Sequence, residues 1–187
     1  GGHNHFTVSI LDDVTNLSID RCEFALPDDP TQASVKFWGI GSDGLVGASK
    51  NTSKIIGDHT DKYVQAYFQY DSKKSGGLTI SHLRFGDKPI RSSYYVGAAD
   101  CVVCGNPAYI GKYDMVRDVK PGGIFLICNE ATGDTDKNDK WTQLIDGMTI
   151  YRDVELKAAM QEAGFMNIQI HKNPKDWLCV IGRKQEK

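Results

Sequence analysis

Apolar residues along the chain fall into short runs separated by glycine, proline and charged clusters, and the spacing inside each run sets the element it predicts. Phe6 to Ile10 alternates as a short strand, and the polar stretch 12–31 reads as a loop-rich approach with one strand near Cys22. Val35 to Trp38 is an apolar strand; a helix follows from Leu45 to Ile56, with Gly57 as its stop. Residues 62–70, rich in aromatic and β-branched side chains, form the next strand and lead into the polar loop "DSKKSGG". Residues 78–86 and 89–96 both alternate, the second placed at an edge by Pro89. "ADCVVCG" is a strand, "PAYIGKYDMVRDV" a helix with Pro107 in its first turn, and "GGIFLICN" a buried strand. Beyond a charged loop, Val154, Leu156, Ala159, Met160 and Ala163 mark an amphipathic helix over 153–163, ended by Gly164, and two strands flank Pro174.

Strands alternating with helices predict an α/β protein, a three-layer α/β/α sandwich with a Rossmann-like, mostly parallel sheet and an antiparallel C-terminal strand pair. Its 187 residues suit a single domain. Hydrophobic residues (40%) and charged residues (25%) are balanced as in an ordinary globular protein. The 22 Lys and Arg nearly match the 24 Asp and Glu, so no global field draws the chain to nucleic acid or an anionic membrane. No apolar run approaches the roughly 18 residues of a membrane span, and a cytoplasmic location is the expectation. Residues 1–5, "GGHNH", look like the remnant of an expression tag.

The motif with chemical content is Gly39, Gly41 and Gly44, a G-x-G-x-x-G between a predicted strand and a predicted helix. Missing side chains let N–H groups at a helix N-terminus approach a phosphate. The expected cofactor-binding residues are Gly39, Gly41, Ser42, Asp43 and Gly44, with Asp71 at the end of the second strand and Lys73 and Lys74 beside it. Asp71 stands where a ribose-binding acid belongs, whereas the lysines after it suit phosphate oxygens. The alternative is that the glycines serve close strand–helix packing and the lysines are solvated.

Other groups carry less. The five cysteines are expected as reduced, buried thiols; Cys101 and Cys104 lie three apart in a strand and so point to opposite faces, and no metal site is expected. His82, near Arg84, reads as a buried structural histidine or a ligand contact; His59 and His171 read as surface residues, and Trp141 and Trp177 as packing residues. No nucleophile elbow or paired-carboxylate signature stands out, and no catalytic residue is assigned.

"KFWGIGSDGLVGASKNTSKIIG", "YFQYDSKKSGGLTISHLRFGDKPIRSSY" and "ADCVVCGNPAYIGKYDMV" resemble the γ segment of the pyruvate:ferredoxin (flavodoxin) oxidoreductase family, over about residues 5–123. The resemblance implies a part of an enzyme that uses thiamine diphosphate and iron–sulfur clusters to convert a 2-oxoacid to an acyl-coenzyme A. It also implies a segment on the coenzyme A side, with a pocket for an adenosine-phosphate group at the glycine turn and Lys73 and Lys74. Surfaces that face other segments there would be exposed here and favour self-association.

From "KPGG" onward, residues 119–184 resemble the C-terminal third of class I S-adenosylmethionine-dependent methyltransferases, through "LKPGG"-like, "EL…EAGF" and closing-strand features. Together the two likenesses predict an engineered chimera: an oxidoreductase-like part over 6–121 and a methyltransferase-like part over 122–187, forming a scaffold without a complete active site. Residual binding of coenzyme A or S-adenosylmethionine, weak methyltransferase activity, and an oligomerising interaction module are the alternatives.

Overall fold

The computed structural model describes residues 4–8, 10–11, 14–19, 29–73, 76–129, 142–144, 149–175 and 177–186. The chain divides into two compact units, 1–30 and 31–187. In the first, β1 (Thr7–Val8) and β2 (Ser18–Ile19) pair in parallel, and the Ile10 N–H donates to Ser18 Oγ at 3.3 Å. The strand expected near Cys22 lies outside the described residues.

The second unit is a seven-stranded sheet built from β3 (Gln32–Ile40), β4 (Tyr63–Tyr70), β5 (Leu78–Gly86), β6 (Ala99–Cys104), β7 (Val119–Asn129), β8 (Phe165–Lys172) and β9 (Leu178–Lys184), in the order β4-β5-β3-β6-β7-β9-β8. The helices α1 (Leu45–His59) and α2 (Asp153–Glu162) accompany it. The α/β architecture and the antiparallel pair β8–β9 are as the hydrophobic pattern predicts. The sheet is mixed, not mostly parallel: β3–β6 and β6–β7 are parallel, and the other four neighbouring pairs are antiparallel. The cause is local. Asp71 N–H donates to the Leu78 carbonyl at 3.0 Å, closing β4 and β5 into a hairpin, and β5 enters the sheet between β4 and β3.

Alternation sorts side chains to two faces. Trp38, Ile80, Val102, Cys104, Phe125, Ile127 and Val180 are buried on one, where Leu156 and Met160 of α2 complete the core. Phe37 and Leu83 are buried on the other, the face covered by α1, where Gly57 lies against Val64. Further along that second face, Cys101, Val103, Ile124, Leu126, Cys128, Cys179 and Ile181 are only partly covered.

Four local expectations are corrected. Gly57 sits inside α1, which ends at His59 because Thr60 caps it, its N–H and Oγ1 both donating to the Ile56 carbonyl. Residues 89–96 are not a strand; side chains hold them instead, with Tyr67 Oη donating to the Ser92 carbonyl at 3.1 Å and Arg84 to that of Tyr94 at 2.9 Å. The helix expected over 107–119 is reduced to two 3-10 turns, Pro107–Tyr109 and Val116–Asp118, because Gly111 takes the left-handed conformation (φ 77°) between them. Trp177 is largely exposed rather than packed, and Trp141 lies outside the described residues.

Candidate functional site

The glycine turn sits at the carboxyl ends of β3 and β6, the edge at which open α/β sheets hold ligands. Several of its donors are used within the chain. Asp43 folds back so that one carboxylate oxygen accepts from the Ile40 N–H at 2.7 Å and the other from the Leu45 N–H, the first of α1, at 2.8 Å. Gly39 is required by that carboxylate: a Cβ there would stand 2.6 Å from Asp43 Oδ2. Gly44 supplies the left-handed step into the helix (φ 83°). The Gly41 N–H donates to the Gly77 carbonyl at 2.8 Å, which joins the turn to the 71–77 loop.

Of the expected cofactor residues, the structure therefore gathers Gly39, Gly41, Ser42, Asp43 and Gly44 in one turn and brings the Asp71 loop beside it. Asp71 closes the hairpin and accepts from Ser72 Oγ at 3.3 Å; Lys74 lies outside the described residues. Asp43 places a carboxylate at the helix N-terminus, where it competes with a phosphate for the same N–H groups. Lys50 lies over the Phe68 ring, 5.2 Å from its centroid. On the far side of the turn, buried Tyr109 donates from Oη to the Gly39 carbonyl at 3.1 Å, and burial pushes its phenol up to about 12.

A second polar constellation lies on the α2 face. Register places Lys36 opposite His82 and Ser34 opposite Arg84, all four buried. Lys36 Nζ meets Asp118 at 2.6 Å. Arg84 spans Gln65 and the Tyr94 carbonyl while its guanidinium lies over the Tyr94 ring. His82 stacks on Tyr95 with centroids 4.6 Å apart and neither ring nitrogen hydrogen-bonded in good geometry. Burial, then the charges of Lys36 and Arg84, pull it down to about 4, against a weak opposing pull from the Val96 carbonyl, so the ring is neutral at pH 7. Asp100, pushed up by burial, is brought back below the usual carboxylate range by Lys120 (3.0 Å) and by the Ser34 N–H and hydroxyl. Single-residue motifs miss this cluster, apart from His82 and Arg84. Its mark in the sequence is parity: Ser34 and Lys36 share the face of Trp38, and His82 and Arg84 share that of Ile80.

The two cysteines of C-x-x-C point to opposite faces. Cys104 is buried, donates to the Asn106 carbonyl at 3.1 Å and is pushed up to about 12 by burial; Cys101 is half-buried on the α1 side.

The sequence profile of the family described as Pyruvate ferredoxin/flavodoxin oxidoreductase matches residues 34–169. Pyruvate:ferredoxin oxidoreductase of Moorella thermoacetica is 47% identical over 165 residues, 88% of this chain and 13% of that protein. Pyruvate-flavodoxin oxidoreductase of Klebsiella pneumoniae is 53% identical over 124 residues, 65% of this chain and 10% of that protein. The chain thus spans about a tenth of the length of these relatives. Among solved structures, pyruvate oxidoreductase subunit PORC of Thermotoga maritima superposes with a TM-score of 0.41 at 22% identity, covering 71% of this chain and 67% of that one. These matches overturn the expectation of an engineered chimeric scaffold. A match of 165 residues on a chain of 187 must pass through Pro121–Gly123, and most of the part assigned to a methyltransferase lies inside the 34–169 match. The family match assigns these residues to the oxidoreductase, and neither a methyltransferase nor S-adenosylmethionine is supported by it.

Proposed function

The chain belongs to the pyruvate ferredoxin/flavodoxin oxidoreductase family, and from that premise we propose that it works as one segment of a larger enzyme that oxidises pyruvate and passes the electrons to ferredoxin or flavodoxin. The observation that carries this reading is the disparity of coverage: 88% of this chain aligns at 47% identity, yet with only 13% of the relative. The reaction then belongs to the assembled enzyme, in which this segment supplies a rigid sheet and contact surfaces. Half-covered Val103, Ile124, Leu126 and Ile181 form an apolar stripe suited to pack against another segment, and in isolation the same stripe favours self-association. A cytoplasmic location is part of the proposal; among the described residues no helix is long and apolar enough to cross a membrane.

Within this reading, the turn at Gly39–Gly44 and the loop from Asp71 through Lys73 to Gly77 form the edge presented to whatever the assembled enzyme holds there. Asp43 makes the turn itself a hydrogen-bonded fixture, and any contact with a ligand such as coenzyme A falls to the loop. The test is an exchange: this chain replaces the matching segment of the Moorella thermoacetica oxidoreductase, and pyruvate-dependent ferredoxin reduction is measured. Retained turnover is the expected result. A soluble, fully assembled hybrid that reduces no ferredoxin would overturn the proposal.

A further inference from the structure

Two of the cysteines assigned to separate strands stand side by side. β7 and β9 pair in antiparallel register with Cys128 directly opposite Cys179, and both side chains lie on the α1 side of the sheet, beside Leu126 and Ile181 and away from the core. Both are half-buried free thiols. Directly opposed residues in an antiparallel ladder have Cα atoms about 4.5–5.5 Å apart, inside the range of roughly 4.4–6.8 Å that a disulfide spans. Cys101 shares the face but pairs with Ile124, four residues from Cys128 along β7, or about 13 Å. Cys104 is on the other face.

We propose that Cys128 and Cys179 form a dithiol modification site, which exchanges with small disulfides to close a cross-strand bond and, when reduced, captures trivalent arsenicals. The step balances as thiol–disulfide exchange. The thiolate of one cysteine attacks one sulfur of a small disulfide such as oxidised glutathione, breaking the S–S bond, forming a mixed disulfide and releasing one glutathione thiolate. The other cysteine gives its proton to solvent and attacks the protein sulfur of that mixed disulfide, forming Cys128–Cys179 and releasing the second glutathione. The protein loses two protons and two electrons, and one disulfide becomes two thiols.

The register leaves the two thiols equivalent: each stands where it can share a proton with the other, so the first proton is lost from the pair and either sulfur can attack while the other resolves. The titratable groups that flank Cys179 in its row are Cys128 on β7 and His171 on β8, which pairs with Cys179 from the other side. Among the described residues no three His, Cys, Asp or Glu side chains converge on a metal.

The test treats the reduced chain with oxidised glutathione and maps products by mass spectrometry. The expected product is a Cys128–Cys179 linked peptide, with loss of two hydrogens and no retained glutathione. Cys128→Ser and Cys179→Ser should each stop at one retained glutathione on the cysteine that remains. In the unsubstituted protein, iodoacetamide should label the Cys128–Cys179 pair before Cys101, and phenylarsine oxide should block that labelling at one equivalent. Stable glutathione adducts on both cysteines, or labelling of the pair no faster than that of Cys101 at pH 7, would overturn the proposal even if a serine variant failed to fold.

Discussion

Removing the Asp118 carboxylate isolates a buried ammonium. Lys36 Nζ lies 2.6 Å from Asp118, with side-chain exposures of 10% and 17%, and it shares its surroundings with His82 and Arg84, neither of which can accept its charge. Breaking a buried pair by deleting one partner costs about 3–5 kcal/mol. Asp118 keeps some contact with water, and the lysine stem can redirect its head toward the surface, which lowers the expectation for Asp118→Asn to about 2–4 kcal/mol. With a urea dependence near 2 kcal/mol per molar, the unfolding midpoint falls by about 1–2 M. Lys36→Met leaves a carboxylate that can turn to solvent and is expected to cost roughly 1–2 kcal/mol, with some of the Trp38 contact (5.5 Å from Nζ to the ring centroid) also lost. The double variant should be more stable than Asp118→Asn alone, because no unpaired ammonium remains. Equilibrium urea unfolding of the four proteins decides the matter. The reasoning is refuted by a loss under about 0.5 kcal/mol for Asp118→Asn, or by a double variant less stable than that single one.

Acid should destabilise the sheet through His82. Its folded value near 4 lies below the ordinary 6.5, so the unfolded chain binds the extra proton; stability is full above pH 6.5 and is lost as pH falls toward 4, by on the order of 3 kcal/mol. Urea midpoints measured from pH 7 to pH 4.5 should flatten in His82→Phe, and an unchanged slope would reject the assignment. At the glycine turn, Gly39→Ala places a methyl 2.6 Å from Asp43 Oδ2 and should expel that carboxylate. Asp43→Ala, which strips the acceptor from the Ile40 and Leu45 N–H groups, should cost about 0.5–2 kcal/mol. Thermal melts should then show the two losses overlapping rather than adding, and strict additivity would mean that Gly39 has another purpose.

Most elements were legible because period-two and helical spacing survive in the sequence: β5 begins and ends where its alternation does, and α2 matches its apolar stripe. Strand order was not. "DSKKSGG" reads as a polar loop of no stated course, and the Asp71–Leu78 and Gly41–Gly77 bonds show that β5 folds back between β4 and β3. The same limit applied to the candidate site. G-x-G-x-x-G marks a turn in which side chains are unwelcome without saying what needs the space, and here Asp43 takes it. Cys128 and Cys179 are 51 positions apart in the chain, and their contact follows only from the β7–β9 register.

"KPGG" stands between a predicted helix and a predicted strand and opens the methyltransferase likeness, yet all four residues lie within β7. The ladder to β6 slips between Ala99 and Cys101, and the slack is taken up here. Gly122 adopts φ 73°, and Gly123 passes so close to neighbouring backbone that a Cβ would stand 2.9 Å from the Lys120 carbonyl and 3.0 Å from that of Asp100. Lys120 then reaches Asp100, and the Gly122 carbonyl accepts from Arg183 of β9 at 2.6 Å. Proline and two glycines solve a problem posed by any parallel strand that must bulge on entering a sheet, whatever the protein does. A short motif of that kind reports backbone geometry, and sequences from unrelated enzymes can converge on it. Family membership rests instead on a match that runs from residue 34 to residue 169 and crosses Pro121–Gly123 without a break.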